Sequence, residues 1–134
     1  MSCAHLDLLY AGGESLFTLS AAEVTFGRGA LREMGALTAS LGARRVALFT
    51  DRGVAATECL DRARRSLLDA GLDVALYDGV CVEPTDVSFA DAARFAREGR
   101  FDGYVSVGGG SVIDTCKAAA LLAAWPADLL AYVN

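Results

Sequence analysis

The sequence predicts an α/β fold, a parallel sheet with helices on both faces, and three observations carry that expectation. Short apolar runs alternate with helical patterns along most of the chain. The helical patterns stop at Gly42, Gly71, Gly99 and Pro126, residues that end helices by left-handed backbone or by a missing N–H. A run of three glycines, Gly108-Gly109-Gly110, stands between the last apolar run and the last helical pattern. Strand and helix in strict alternation require right-handed crossovers, which place helices on both sides of a parallel sheet.

Taken in order, residues 1–14 are expected to lack regular structure, as chain termini commonly do. Residues 15–26 read as extended, because Phe17, Leu19, Val24 and Phe26 alternate with polar or small neighbours until Gly27 and Gly29. Over residues 30–41, Leu31, Met34, Leu37 and Leu41 recur at helical spacing on one stripe. Residues 45–51, Arg-Val-Ala-Leu-Phe-Thr-Asp, form a buried strand. Residues 57–70 form a helix that turns Leu60, Ala63 and Leu67 inward and leaves Arg62, Arg64 and Arg65 in solvent. A strand over 73–77 leads to a loop around Glu83-Pro84-Thr85, where Asp86 or Ser88 caps a helix with Phe89, Ala92, Ala93 and Ala96 on its inner stripe. Residues 104–107 make the third strand. Residues 111–124 make a helix apolar nearly all round, and therefore buried.

Composition narrows the function. A chain of 134 residues, 54% hydrophobic and 22% charged, suits one domain, too apolar for disorder and without the roughly 18 uninterrupted apolar residues of a membrane span. Seventeen acidic residues against 12 basic give a net charge of -5, with no basic run longer than a pair, so nucleic acid is not an expected partner. Cys3, Cys59, Cys81 and Cys116 are far apart and form no CxxC pair, which reads as reduced thiols. The opening residues contain no Lys or Arg; the expectation is a cytoplasmic protein, with a mitochondrial location as the alternative for a eukaryotic precursor lacking its presequence. His5, the one histidine, reads as a bystander, and no His, Cys and carboxylate spacing fits a metal. No catalytic residue and no metal ligand is assigned.

The chemistry sits in the glycine turn. Gly108, Gly109, Gly110 and Ser111 follow a strand and open a helix, the crevice position at which open parallel sheets bind ligands. Residues without side chains let backbone N–H groups approach a phosphate, and the helix start adds free donors and a positive dipole end. The turn therefore reads either as a pyrophosphate cradle or as a structural tight turn. Asp114 can accept from the turn amides in the manner of a capping box, or bond a ligand hydroxyl. Ile113 occupies the third glycine position of the GxGxxG fingerprint, and no Gly-Lys-Ser/Thr is present, which excludes a P-loop. Asp51, at the end of its strand, either meets ribose hydroxyls, favouring NAD over NADP, or caps a helix or loop.

These residues carry a resemblance. Val24-Thr25-Phe26-Gly27-Arg28-Gly29, Leu48-Phe49-Thr50-Asp51, Val82-Glu83-Pro84-Thr85-Asp86 and above all residues 101–119, FDGYVSVGGGSVIDTCKAA, resemble the iron-containing (group III) alcohol dehydrogenase family, most of all its hydroxyacid-oxoacid transhydrogenase branch. Ala120 departs from the Asn usual in that branch. The resemblance implies a Rossmann-like domain, the N-terminal half of a two-domain fold shared with dehydroquinate synthase, over residues 15–134. The family's metal-binding helical domain would follow. It further implies that Gly109, Gly110 and Ser111, with Gly108 beside them, hold the pyrophosphate of NAD. Asp51 would meet the adenosine ribose, and Asp114 would support the loop or the nicotinamide side. Iron, with ligands in the following domain, a small alcohol, hydroxyacid or oxoacid substrate and a homo-oligomeric whole enzyme belong to the same expectation. The apolar segment 128–134 starts a further element, which supports reading the chain as the front of something longer and inactive alone. The alternatives are a non-catalytic nucleotide-binding remnant and a glycerol dehydrogenase-like relative.

Overall fold

The computed structural model describes the backbone of residues 4–10 and 13–19 and the whole of residues 24–126. Cys3, the segment 128–134 and the side chains of His5, Phe17 and Leu19 lie outside the described residues. Strand β1 (Ala4–Tyr10) pairs antiparallel with β2 (Gly13–Leu19), Leu6 opposite Phe17. This corrects the expectation for residues 1–14. The signal was the alternation of Leu6, Leu8 and Tyr10, and pairing with the neighbouring strand supplies the backbone bonds that a lone terminus lacks. The described pairing runs through Leu19, and Val24 and Phe26 are exposed outside any strand.

A 3-10 turn (Ala30–Arg32) leads into α1 (Met34–Ser40), then β3 (Arg45–Asp51), a short α2 (Arg52–Ala55), α3 (Glu58–Asp69), β4 (Asp73–Val80), α4 (Asp86–Gly99), β5 (Gly103–Ser106) and α5 (Gly110–Ala124). The sheet runs β4-β3-β5 with both pairings parallel, Leu48 lying between Leu76 and Val105. Strand β3 is therefore central, and Val46 through Thr50 are fully buried. Its alternate residues face opposite layers. Ala47 and Phe49 pack with Ala92 and Ala96 of α4 and with Val112, Cys116 and Ala119 of α5, whereas Val46 and Leu48 pack with Leu60, Ala63 and Leu67 of α3. Helices on both faces are what the alternating pattern predicted, and each buried leucine of α3 contributes about 1.5–3 kcal/mol. Phe49 anchors an aromatic group with Tyr77 at 5.1 Å and Phe95 at 5.8 Å. The Tyr77 hydroxyl donates to Asp91 Oδ2 at 2.9 Å.

Four local expectations change. The pattern over 30–41 divides into the 3-10 turn and α1, with Leu37 and Leu41 exposed and Gly35 buried instead. The reason is close helix contact: a Cβ on Gly35 would lie 2.0 Å from the Ser66 carbonyl oxygen, and the Gly35 N–H donates to Ser66 Oγ at 3.0 Å. Helix α5 is buried on one side, through Val112, Thr115, Cys116, Ala119 and Leu122, while Ile113 and Leu121 remain exposed. Thr85, not Asp86 or Ser88, caps α4. Thr85 is extended, as an N-cap residue is, so Oγ1 accepts from the Ser88 amide while Ser88 Oγ accepts from the Thr85 amide. Helix α2 was not anticipated.

At the amino end of the sheet, Asp102 accepts the Arg44 and Arg45 amides at 2.9 and 2.8 Å, joining the approach to β5 to the start of β3. Those amide bonds hold its carboxyl below the usual aspartate range. Among the described residues no helix is long and apolar enough to cross a membrane.

Candidate functional site

The site follows from the order of the strands. Strand β3 feeds α2 and α3 on one face, β4 lies to one side of it, and the chain then crosses back through α4 to β5 on the other side. The turns leaving β3 and β5 consequently diverge to opposite faces, and the carboxyl ends of these neighbours form the switch-point crevice. The ladder between them ends at Phe49 opposite Ser106, followed by the Val107 N–H donating to the Phe49 carbonyl at 2.9 Å. One more bond closes the join. Thr50 Oγ1 donates to the Val107 carbonyl at 2.7 Å, and both residues are buried.

Beyond this join stand the predicted residues. Gly108 has φ 157°, and a Cβ there would lie 2.5 Å from Val112 Cγ2 and 3.4 Å from Asp51 Oδ2. A side chain there would collide with Val112 of α5, so the turn passes the helix as bare backbone. Gly109 is the N-cap of α5 without a side-chain cap, and Gly110 is the first helical residue. A Cβ built on either meets nothing within 4 Å, so the space in front of the turn is open. The leading amides of a helix of 15 residues have no intrahelical acceptor, and the dipole adds positive potential there. Ser111 is half-buried in the first turn, its carbonyl accepting from Thr115 Oγ1 at 2.8 Å.

Asp51 realises the capping alternative without being used up by it. Oδ1 accepts from the Val54 amide at 2.9 Å as the cap of α2, and Oδ2 faces the glycine turn. A carboxylate has about four lone-pair positions, so ribose hydroxyls remain within its capacity. The structure thus brings Asp51 and Gly108 together beside Gly109, Gly110 and Ser111. Asp114 differs: it is exposed on the second turn of α5, Val112 holds the position a capping box would use, and no side chain caps this helix. Its capping-box expectation is corrected, because the helix begins at Gly110, too far from Asp114 for a reciprocal bond.

Sequence reasoning missed Thr50 as a link between the turns; its only signal was a hydroxyl closing an otherwise apolar strand. A hollow of about 370 Å³ adjoins Asp51 at the carboxyl ends of β3 and β4, lined also by Gly53, Gly79, Val80 and Cys81. A larger open hollow of about 1040 Å³ lies away from the turn, against the 3-10 turn and α3, and includes Arg28, Arg32, Arg62 and Arg65. Among the described residues no three His, Cys, Asp or Glu side chains converge, so these residues do not fit a metal ion.

The model of a protein family described as iron-containing alcohol dehydrogenase matches residues 21–133. The chain belongs to the iron-containing alcohol dehydrogenase family. It is 46% identical over 122 residues to the mitochondrial hydroxyacid-oxoacid transhydrogenase of Xenopus tropicalis, covering 90% of this chain and 26% of that relative. The human protein of the same name is 42% identical over 119 residues, with 88% and 26% covered. Among solved structures, 1,3-propanediol oxidoreductase superposes with a TM-score of 0.75 at 32% identity, over 79% of this chain and 28% of that one. The NADH-dependent butanol dehydrogenase A of Thermotoga maritima gives 0.72 at 28% identity, over 76% and 26%. The chain spans about a quarter of the length of the relatives and solved structures it matches.

Proposed function

We propose that this chain forms the NAD-binding portion of an iron-dependent alcohol or hydroxyacid oxidoreductase, whose whole-protein reaction is hydroxyacid-oxoacid transhydrogenation. One observation carries the reading: a turn of bare backbone opens a long helix at the switch point, directly against the carboxylate of Asp51. The amides of Gly109 and Gly110 and the Ser111 hydroxyl hold the pyrophosphate, with Gly108 providing the close passage. Asp51 binds the adenosine ribose and repels an added phosphate, which selects NAD over NADP. Asp114, one turn further, serves the nicotinamide side. The transhydrogenase name of the relatives and the NADH dependence in the name of one structural neighbour support the assignment.

Bound NAD supplies a hydride acceptor and donor. In the proposed reaction a hydroxyacid such as 4-hydroxybutyrate loses two electrons and two protons to become succinate semialdehyde, and 2-oxoglutarate gains them to become its hydroxyacid. The chain's own residues bind and orient the nucleotide; among the described residues no three His, Cys, Asp or Glu side chains come together to hold iron. The substrates are small molecules, and the whole enzyme assembles as a homo-oligomer.

Titration of the 134-residue chain with NADH, followed by nucleotide fluorescence, tests the reading. Saturable binding is expected, and an absence of binding at millimolar nucleotide would overturn it.

A further inference from the structure

We infer that Thr50 is a positioning residue for this crevice: its hydroxyl holds the Asp51 turn and the glycine turn at the separation a nucleotide requires. The inference rests on the nucleotide-binding reading above.

The paired part of the sheet ends at this crevice. Strands β3 and β5 are paired through Phe49 and Ser106, and the Val107 amide makes the last backbone bond of the ladder. Beyond it the chains separate to opposite faces, and the Val107 carbonyl takes its donor from the Thr50 side chain rather than from the next backbone amide of β3. A buried carbonyl without a donor is costly. Thr50 supplies that donor from its side chain at 2.7 Å, in a position with no solvent exposure. The bond therefore lies at the fork itself, one residue before Asp51 on one branch and one residue before Gly108 on the other.

The surroundings show why this separation matters. Asp51 Oδ2 would be 3.4 Å from a Cβ on Gly108, and Val112 Cγ2 only 2.5 Å from it. The bare backbone of Gly108 runs close to Val112 with the Asp51 carboxylate beside it, so the placement of the turn sets its distance from both. At Thr50 a valine would match the shape and keep the strand apolar, but it would leave the Val107 carbonyl unpaired. At the opposite end of the same strand pair, Asp102 makes the corresponding tie to the Arg44 and Arg45 amides. The fork alone abuts the site.

Thr50→Val and Thr50→Ser in the 134-residue chain separate positioning from general stability. Two readouts are used: amide hydrogen exchange at Gly109, Gly110 and Ser111 without ligand, and NADH affinity well below the unfolding midpoint. Thr50→Val is expected to speed exchange at the turn and weaken NADH binding about tenfold, the equivalent of one lost buried hydrogen bond, whereas Thr50→Ser restores both. Unchanged turn exchange in Thr50→Val overturns the inference, whether or not NADH binds. A wild-type chain that ignores NADH refutes the nucleotide reading itself, and the exchange comparison still decides whether Thr50 holds the fork. Should Thr50→Val fail to fold, a folded Thr50→Ser with loosened turn amides is the overturning result, because it retains the hydroxyl.

Discussion

The carboxylate of Asp51 stands against the backbone of Gly108, with Oδ2 3.4 Å from where a side-chain carbon would begin and Oδ1 committed to the Val54 amide at 2.9 Å. One residue thus caps α2 and charges the edge of the glycine turn. This double use separates its structural effect from its effect on a nucleotide.

Asp51→Ser retains an oxygen able to cap α2 and removes the negative charge. The chain is expected to remain folded, to bind NADH more weakly, and to lose discrimination against NADPH by about tenfold, since a like charge no longer faces the added phosphate. Parallel titrations with both nucleotides measure this. An unchanged affinity ratio would count against the ribose assignment.

Within the turn, neighbouring glycines are expected to answer differently. Gly110→Val places its side chain in open space, so stability should change by no more than about 0.5 kcal/mol while NADH affinity falls at least about tenfold through blocked approach to the amides. Gly108→Ala instead drives a methyl group to 2.5 Å from Val112 Cγ2 and should cost about 1–3 kcal/mol of stability. Thermal unfolding and NADH titration on the two variants check the contrast; equal effects on both readouts would contradict it.

Gly35 tests packing away from the crevice. A Cβ there meets the Ser66 carbonyl oxygen at 2.0 Å, a backbone atom that cannot move aside without displacing α3 from α1. Gly35→Ala should lower stability by about 1–3 kcal/mol, with NADH affinity of the folded fraction unaltered. Denaturant unfolding gives the first quantity and nucleotide titration at low temperature the second.

Alkali should weaken the fold in two steps. Burial pushes the Cys116 thiol up to about 11 from its ordinary 9.0. Burial, followed by the bond to Asp91, pushes Tyr77 up to about 12 from 10.0. In both cases the fold favours the protonated form, so the unfolded chain releases its proton first. The stabilisation is complete below the ordinary values and is lost as pH rises towards 11 for Cys116 and 12 for Tyr77. Denaturant unfolding of Cys116→Ala should show a flatter decline between pH 9 and 11 than the unaltered chain. Identical slopes would show that the thiol carries none of it.

From the sequence alone, strand β3, the inner stripe of α3, the glycine turn at the head of α5 and the acid ending β3 were legible, since each rests on a local pattern. A run of apolar residues, a 3.6-residue stripe and bare backbone between strand and helix keep their meaning wherever they are packed. Tertiary structure decided the rest. The stripe of Leu31, Met34, Leu37 and Leu41 is helical in spacing, yet Gly35 makes the close contact with α3 and Leu41 faces solvent. Helix α5 is apolar around much of its surface, and only the position of the sheet selects Val112, Cys116 and Ala119 as its inner side. The meeting of Asp51 with Gly108, and the hydroxyl of Thr50 on the Val107 carbonyl, join residues 57 positions apart in the chain. No local pattern encodes such a pairing, because it depends on which strands become neighbours and where their ladder ends.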